Sequence, residues 1–316
     1  MTETPLSGMT IGFIGLGLMG QPMATNVHNA GAKLRAPKRA QKAVADLDPA
    51  TVTLFDTPAE ITQESDLVIL MLPNATVVDS VCTSDEGVFA GATKDTLIMD
   101  MGTTDLPITN ALAEHARSCG ATYVDAPVTG GRVGANTGGL TIFVGADSEA
   151  TFKRVQPVLE VLGKNITHMG AVGSGQAAKV VNQLMNFSIQ ASVAEGIALA
   201  RRMDLDLNAL IPALAGGAAD SVVLQILGPR MAAEDWSVTA HMDLAVKDMD
   251  IVLNAAEQNA LELRVAQLVR TQWANAAEHI GGAHDIDELV RFVDPTFTGG
   301  GWHGPQGAIG SGTKPD

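Results

Sequence analysis

Residues 173–186 read Gly-Ser-Gly-Gln-Ala-Ala-Lys-Val-Val-Asn-Gln-Leu-Met-Asn. Lys179, Asn182 and Asn186 recur at i, i+3 and i+7, so a helix places all three on one face. A solvated stripe mixes Lys with Glu, whereas this face sets one cation among amides in a helix otherwise rich in Ala, Val, Leu and Met. Amides orient a reactant without competing for its proton, and desolvation lowers the pKa of a lysine. The trio therefore suits general acid/base chemistry at a reacting oxygen. A surface stripe at a domain junction is the competing reading of the same residues.

A second pattern, Gly15-Leu16-Gly17-Leu18-Met19-Gly20, directly follows the apolar run Met9–Ile14. In a G-x-G-x-x-G turn, Gly15 permits the tight bend, Gly17 removes a side chain where a pyrophosphate approaches backbone, and Gly20 lets the next helix pack on the sheet. Leu18 and Met19, at the start of that helix, present N–H groups and a partial positive charge to phosphates. A tight turn without a ligand is the alternative. About twenty residues on, an acidic residue would hold a ribose 2′-hydroxyl. The chain instead reads Arg35-Ala36-Pro37-Lys38-Arg39, with Lys42 close behind, in a protein of net charge -15. That local reversal suits a 2′-phosphate, with Lys38 and Arg39 at the turn, so NADP is favoured and NAD remains open. An ordinary solvated helix start explains the same residues without a phosphate.

Further small and hydroxyl-bearing residues follow later strands: Leu72-Pro73-Asn74, Gly102-Thr103-Thr104 and Thr129-Gly130-Gly131. Each alone is ordinary turn chemistry. Together they share the carboxyl ends of strands, where open α/β sheets bind ligands.

The elements that must position these residues fall into two halves. Strands are expected at Met9–Ile14, Lys33–Ala36, Val52–Leu54, Leu67–Leu72, Thr96–Asp100, Thr122–Asp125 and Leu140–Val144. Helices are expected between most of them, at Met19–Ala30, Ala40–Leu47, Leu106–Ser118 and Glu149–Leu162. This alternation predicts an α/β fold, an N-terminal Rossmann doubly wound parallel sheet. From about Gly170 the pattern turns helical: Gly175–Met203, Leu207–Leu214, Ser221–Leu227, His241–Asn259, Leu263–His279 and Ile286–Arg291, with Pro212 and Pro229 marking kinks or turns. The expected division is a dinucleotide-binding domain over 1–170, an all-helical substrate and oligomerisation domain over 171–295, and a Gly-rich flexible tail over 296–316.

Composition narrows the function. The chain has 316 residues, 46% hydrophobic but only 4% aromatic, so an aliphatic core is expected. The acidic balance argues against nucleic acid or an anionic membrane as partner. No apolar run reaches membrane-spanning length, and the polar start Met1–Gly8 lacks a secretory pattern. Cys82 and Cys119, widely spaced, make neither a disulfide framework nor a metal cluster. A cytoplasmic protein is expected.

With these motifs in order, the chain resembles the β-hydroxyacid dehydrogenase family, which includes 3-hydroxyisobutyrate dehydrogenase and tartronate semialdehyde reductase. The resemblance covers about residues 9 to 295. It rests on Gly12–Gly20, Asp125-Ala126-Pro127-Val128-Thr129-Gly130-Gly131, Gly170–Asn182 with Lys179, and Lys247-Asp248. It implies that Lys179 is the general acid/base, that Thr129, Gly130 and Gly131 hold a substrate carboxylate, and that Asn182 orients the reacting oxygen. Lys247 would then lie near nicotinamide and substrate, although Asp243 at i−4 also offers it a plain helix ion pair. Leu72, Pro73, Asn74 and Thr103 join Gly15, Gly17, Leu18, Met19, Gly20, Lys38 and Arg39 as cofactor residues. A small-molecule substrate and a homodimer or homotetramer are implied as well.

Some positions depart from the family pattern. Thr129 stands where Ser is commoner, Ala240 where many relatives carry Phe, and Pro37-Lys38 where an aromatic-Asn or Asp pair is usual. Asp125 reads as a turn or cap residue, Asp248 as helix surface or packing, and His241 as structural. Trp302 and His303 in the tail have no assigned role. Two other functions compete: an imine reductase, in which the lysine is usually replaced, and a non-catalytic cofactor-binding scaffold, against which the intact Lys179 and Asn182 speak.

Overall fold

The computed structural model describes residues 4–298. Of the tail expected over 296–316, residues 299–316, with Trp302 and His303, lie outside it, as do the first three residues of the polar start; Phe297 is fully buried, so the expected bound at 296 falls too early. Two compact units are formed, Met1–Lys179 and Val180–Asp316.

The first unit is built on a nine-stranded sheet. Its strands are β1 (Thr10–Ile14), β2 (Lys33–Pro37), β3 (Val52–Phe55), β4 (Leu67–Leu70), β5 (Leu97–Asp100), β6 (Thr122–Asp125), β7 (Val128–Thr129), β8 (Leu140–Gly145) and β9 (Gly163–Gly170). The order β3-β2-β1-β4-β5-β6 is parallel throughout, and it reverses direction at β1. Such a reversal opens a crevice at the carboxyl ends of the strands. β8 runs antiparallel to β6 and β7, and β9 pairs with β8 alone, so the sheet is parallel-dominated rather than wholly parallel.

The helices of this unit are α1 (Gly20–Asn29), α2 (Pro58–Gln63), α3 (Ala75–Thr83), α4 (Val88–Gly91), α5 (Leu106–Ser118), α6 (Gly131–Thr137) and α7 (Glu149–Leu162). They cover both faces of the sheet, and the pleat sorts the strand residues between two cores. In β4, Leu67 and Ile69 join the cluster that contains Phe13 and Val27, while Val68 and Leu70 join the one that contains Ile61 and Val78. Helix starts follow their capping residues. Asp105, Ser148 and Asn74 each accept an N–H from the first turn of α5, α7 and α3, and Thr57 with Glu60 forms a capping box on α2. The helix expected at Ala40–Leu47 is instead a 3-10 segment, Lys38–Val44.

The boundary between units falls within α8 (Ser174–Arg202), after Lys179. The second unit continues with α9 (Leu207–Leu214), α10 (Val222–Ala233), α11 (Met242–Gln258), α12 (Arg264–Ile280) and α13 (Leu289–Val293). Its core gathers around fully buried Trp273, which meets Phe187 edge-on, with Met242, Met249, Leu289 and Phe297. Pro212 and Pro229 lie inside α9 and α10, so neither breaks its helix, and α10 runs six residues past the expected end at Leu227. Both cysteines are free. Among the described residues, no helix is long and apolar enough to cross a membrane.

Candidate active site

The glycine turn joins β1 to α1. Gly15 has φ +103°, and a Cβ there would run into the Met71 carbonyl. At Gly20 a Cβ would strike the Gly15 carbonyl, so only glycine lets α1 come this close. A Cβ on Gly17 would meet nothing within 4 Å. No side chain caps the α1 N-terminus at Met19. An open Gly17 beside uncapped helix N–H groups is what an incoming pyrophosphate needs, so these residues fit a dinucleotide.

Around the second strand the structure adds a residue that no local reading of the sequence finds. Lys38 Nζ lies 2.5 Å from a carboxylate oxygen of Asp56, just past the end of β3. The parallel pairing of Pro37 with Phe55 brings the two strand ends together. A carboxylate does therefore stand at this turn. Both partners of the pair are well exposed, as is Arg39, while Arg35 is half-buried.

At the end of β4, Leu72 is buried, Pro73 is exposed, and Asn74 Oδ1 accepts the Val77 N–H at 2.9 Å as the cap of α3. Thr103 follows β5 and is half-buried. Thr129 closes β7, and Gly130 and Gly131 follow with φ of +125° and +58° into α6, whose N-terminus no side chain caps. Both glycines are exposed, and a Cβ on Gly131 would meet open space. Successive glycine N–H groups in this conformation can receive an anion.

Asp125, at the end of β6, holds the start of α8. Its two carboxylate oxygens accept the Gly173 and Gln176 N–H groups, each at 2.7 Å. Burial pushes this carboxyl up to about 6, against the opposing pull of those N–H donors. The cap role expected for Asp125 is the one it performs. Lys179 lies one turn further along and is 5% exposed, so it is not part of a solvated stripe.

In the second unit, Asn182 and Lys247 are joined by a chain of polar contacts. Asn182 Nδ2 donates to Gln183 Oε1 at 2.8 Å, Gln183 Nε2 donates to Asp248 Oδ2, and Asp248 Oδ1 lies 2.9 Å from Lys247 Nζ. Asp248 is 1% exposed, so of the two places expected for it, helix surface or packing, it takes the second. It also gives Lys247 an ion-pair partner other than the Asp243 that the helix spacing suggests. Gln183 has no counterpart among the residues singled out from the sequence. His241 is the N-cap residue of α11, with Nδ1 2.7 Å from the Ala283 carbonyl, a structural contact as expected.

The parallel-dominated sheet with its glycine turn defines a dinucleotide-binding protein of the Rossmann type. A family model described as the NAD binding domain of 6-phosphogluconate dehydrogenase matches residues 10–170, and one described as NAD-binding of NADP-dependent 3-hydroxyisobutyrate dehydrogenase matches 173–293. The chain is 34% identical over 286 residues to 2-hydroxy-3-oxopropionate reductase of Escherichia coli, covering 90% of this chain and 97% of that protein. A solved structure of Mycobacterium tuberculosis 3-hydroxyisobutyrate dehydrogenase with L-serine is 30% identical, with a TM-score of 0.79 over 90% of this chain and 99% of that one. An imine reductase from Pseudomonas sp. covers similar shares, 90% and 98%, at 20% identity and a TM-score of 0.58, a likeness of fold alone. The chain belongs to the β-hydroxyacid dehydrogenase family. It is an oxidoreductase that acts on a hydroxy acid with a nicotinamide cofactor.

Proposed function

We propose that the enzyme transfers hydride between NADP and a short β-hydroxy acid or its semialdehyde, with Lys179 as general acid/base. The observation that carries this reading is a buried lysine one turn beyond an anchored helix start, on the helix that follows the cofactor sheet. When bound, the nicotinamide supplies hydride acceptance or donation. In oxidation, neutral Lys179 Nζ takes the proton of the reacting hydroxyl as its carbon loses hydride. In reduction, the ammonium form returns that proton to the nascent alkoxide. The Thr129 hydroxyl and the N–H groups of Gly130 and Gly131 hold the carboxylate, and Asn182 orients the reacting oxygen. The Lys247–Asp248 pair, tied to Asn182 through Gln183, keeps that amide and a cation in fixed relation.

For the cofactor, Gly15, Gly17, Leu18, Met19 and Gly20 receive the pyrophosphate, Leu72, Pro73, Asn74 and Thr103 line the next strand ends, and Lys38 with Arg39 meets a 2′-phosphate. We assign the domains as 1–170 and 171–298, since Phe297 is buried in the second core. A homodimer or homotetramer fits the second unit, because α8 leaves Val181, Met185, Ile189 and Leu199 exposed. Two free cysteines and an acidic surface fit the cytoplasm.

The test is a panel followed by the absorbance of reduced nicotinamide. It sets L-serine, 3-hydroxyisobutyrate, glycerate, 4-hydroxybutyrate, 2-hydroxy-3-oxopropionate and a cyclic imine against both cofactors, with wild type and Lys179→Ala. Turnover of a hydroxy acid or semialdehyde, lost by about 1,000-fold or more in the variant while NADPH still binds, is expected. Turnover of the imine alone, or full activity in Lys179→Ala, overturns the reading.

A further inference from the structure

The side chain of Gln176 does something that neither the glycine turn nor the lysine requires. It is fully buried, and its amide grips the backbone on both sides of Thr103. Nε2 donates to the Gly102 carbonyl at 2.9 Å, and Oε1 accepts the Thr104 N–H at 3.2 Å. The Gln176 main-chain N–H is meanwhile held by Asp125. One residue thus clasps the loop after β5 with its side chain and the end of β6 with its backbone.

The surroundings make this clasp rigid. The loop it holds is pinned from below by Asp100, which accepts the Gly102 N–H at 3.0 Å and the Thr104 hydroxyl at 2.6 Å. A Cβ on Gly175 would strike the Phe143 and Asp125 carbonyls, so the helix start lies directly on the ends of β8 and β6. Each of these residues belongs to the unit Met1–Lys179. Lys179 follows Gln176 by three positions, the spacing that places two side chains on one face of a helix. The loop clasped by Gln176 lies at the carboxyl end of a central strand, where an open sheet meets its ligand.

We propose that Gln176 is a positioning residue that couples the Gly102–Thr104 loop, when a nucleotide loads against it, to the first turns of the helix bearing Lys179. The proposal rests on the reading of Lys179 as the acid/base. An amide is suited to the task because it donates to a carbonyl and accepts from an N–H at once, without a charge. A carboxylate in its place accepts from Thr104 but repels the Gly102 carbonyl, whereas a protonated carboxyl restores both bonds.

Two variants and two readouts test the coupling. In the first readout, backbone hydrogen exchange is followed on the full chain with and without NADPH. In wild type, NADPH slows exchange over residues 15–20, 102–104 and 173–180 together. In Gln176→Leu, protection of 15–20 persists while that of 173–180 falls by about ten-fold or more. In the second, kcat with the best hydroxy acid of the panel falls at least about ten-fold in Gln176→Leu, with substrate KM within about three-fold. For Gln176→Glu, the ratio of its kcat to that of wild type rises as pH falls from about 8 to about 6, because burial beside Asp125 favours the protonated form. That ratio decides the matter if Gln176→Leu does not fold. A flat ratio, or undisturbed protection of 173–180, overturns the proposal. If Lys179→Ala is inactive while both Gln176 variants match wild type, the coupling alone fails. If Lys179→Ala keeps full activity, the acid/base reading fails and the coupling with it.

Discussion

Asp100 and Asp125 stand opposite one another at the ends of β5 and β6, in register across two parallel strands, and both are buried. Each serves a different structure. Asp100 braces the loop that follows its own strand, and Asp125 receives the start of α8. Burial pushes both carboxyls up to about 6. For Asp100, hydrogen bonds from Thr104 and Gly102 oppose the shift and the charge of Asp125 adds to it.

A raised carboxyl pKa makes stability fall with rising pH. Between about 4 and about 6 the folded chain holds protons on Asp100 that the unfolded chain has released. The contribution is therefore fully present below the unfolded value of 3.8 and is lost as pH climbs through about 6. Asp100→Asn removes this dependence. Its melting temperature relative to wild type should rise steadily from pH 4 to pH 7, by the equivalent of about 1–3 kcal/mol. A difference independent of pH across that window would refute the assignment.

The glycines of the nucleotide turn should separate in their effects. Gly20→Ala drives a methyl into the Gly15 carbonyl and should cost at least about 2 kcal/mol in urea unfolding. Gly17→Ala points into open space and should leave stability within about 0.5 kcal/mol. Its NADPH affinity should nonetheless drop by about ten-fold or more, because the methyl occupies the approach of the pyrophosphate. Equal losses of stability in the two variants would contradict this division.

On the proposed NADP reading, Asp56 competes with the 2′-phosphate for Lys38. The exposed Lys38–Asp56 pair contributes little to stability, so Lys38 can exchange its partner for a phosphate at small cost. Asp56→Asn removes the competitor and a repelling charge, and should raise kcat/KM for NADPH by roughly five-fold with NADH nearly unchanged. Lys38→Ala should act in the opposite direction. Equal changes with both cofactors would remove Lys38 from the 2′-phosphate site.

Asp248 is the keystone of the polar chain in the second unit. Asp248→Ala removes one ion-pair partner of the partly exposed Lys247 and one acceptor of Gln183, at a cost of about 1–3 kcal/mol. Chemical denaturation measures this directly. A loss below about 1 kcal/mol would show that the pair is solvated in solution.

Long periodic elements were legible in the sequence. The runs at β1, β4 and β6 and the helices α5, α7 and α9 fall on or within a few residues of their expected bounds, because pattern and caps agree there. α2 carried a readable signal, Thr57 followed by Glu60, but at six residues it is too short to show a periodicity. β9 was hidden for a different reason. Its residues Lys164, Asn165 and His168 suit a strand paired on one side only, so it lacks the apolar run of a central strand. In the site, the glycine turn and the lysine helix announced themselves through local spacing. Asp56 beside Lys38 and Gln176 across Thr103 did not, since each pairing depends on which strands lie side by side. Asp125 and Gln176 are 51 residues apart in the chain and meet only once β6 is in place.

The unit boundary after Lys179 carries a consequence for how such enzymes diversify. The residues shown to grip the root of α8 (Asp125, and Gln176 with the loop it clasps) are encoded upstream of that point. Drift, duplication or recombination downstream is therefore free to remodel the second unit while Lys179 keeps its moorings. A lineage built this way can try new substrates without reinventing its chemistry.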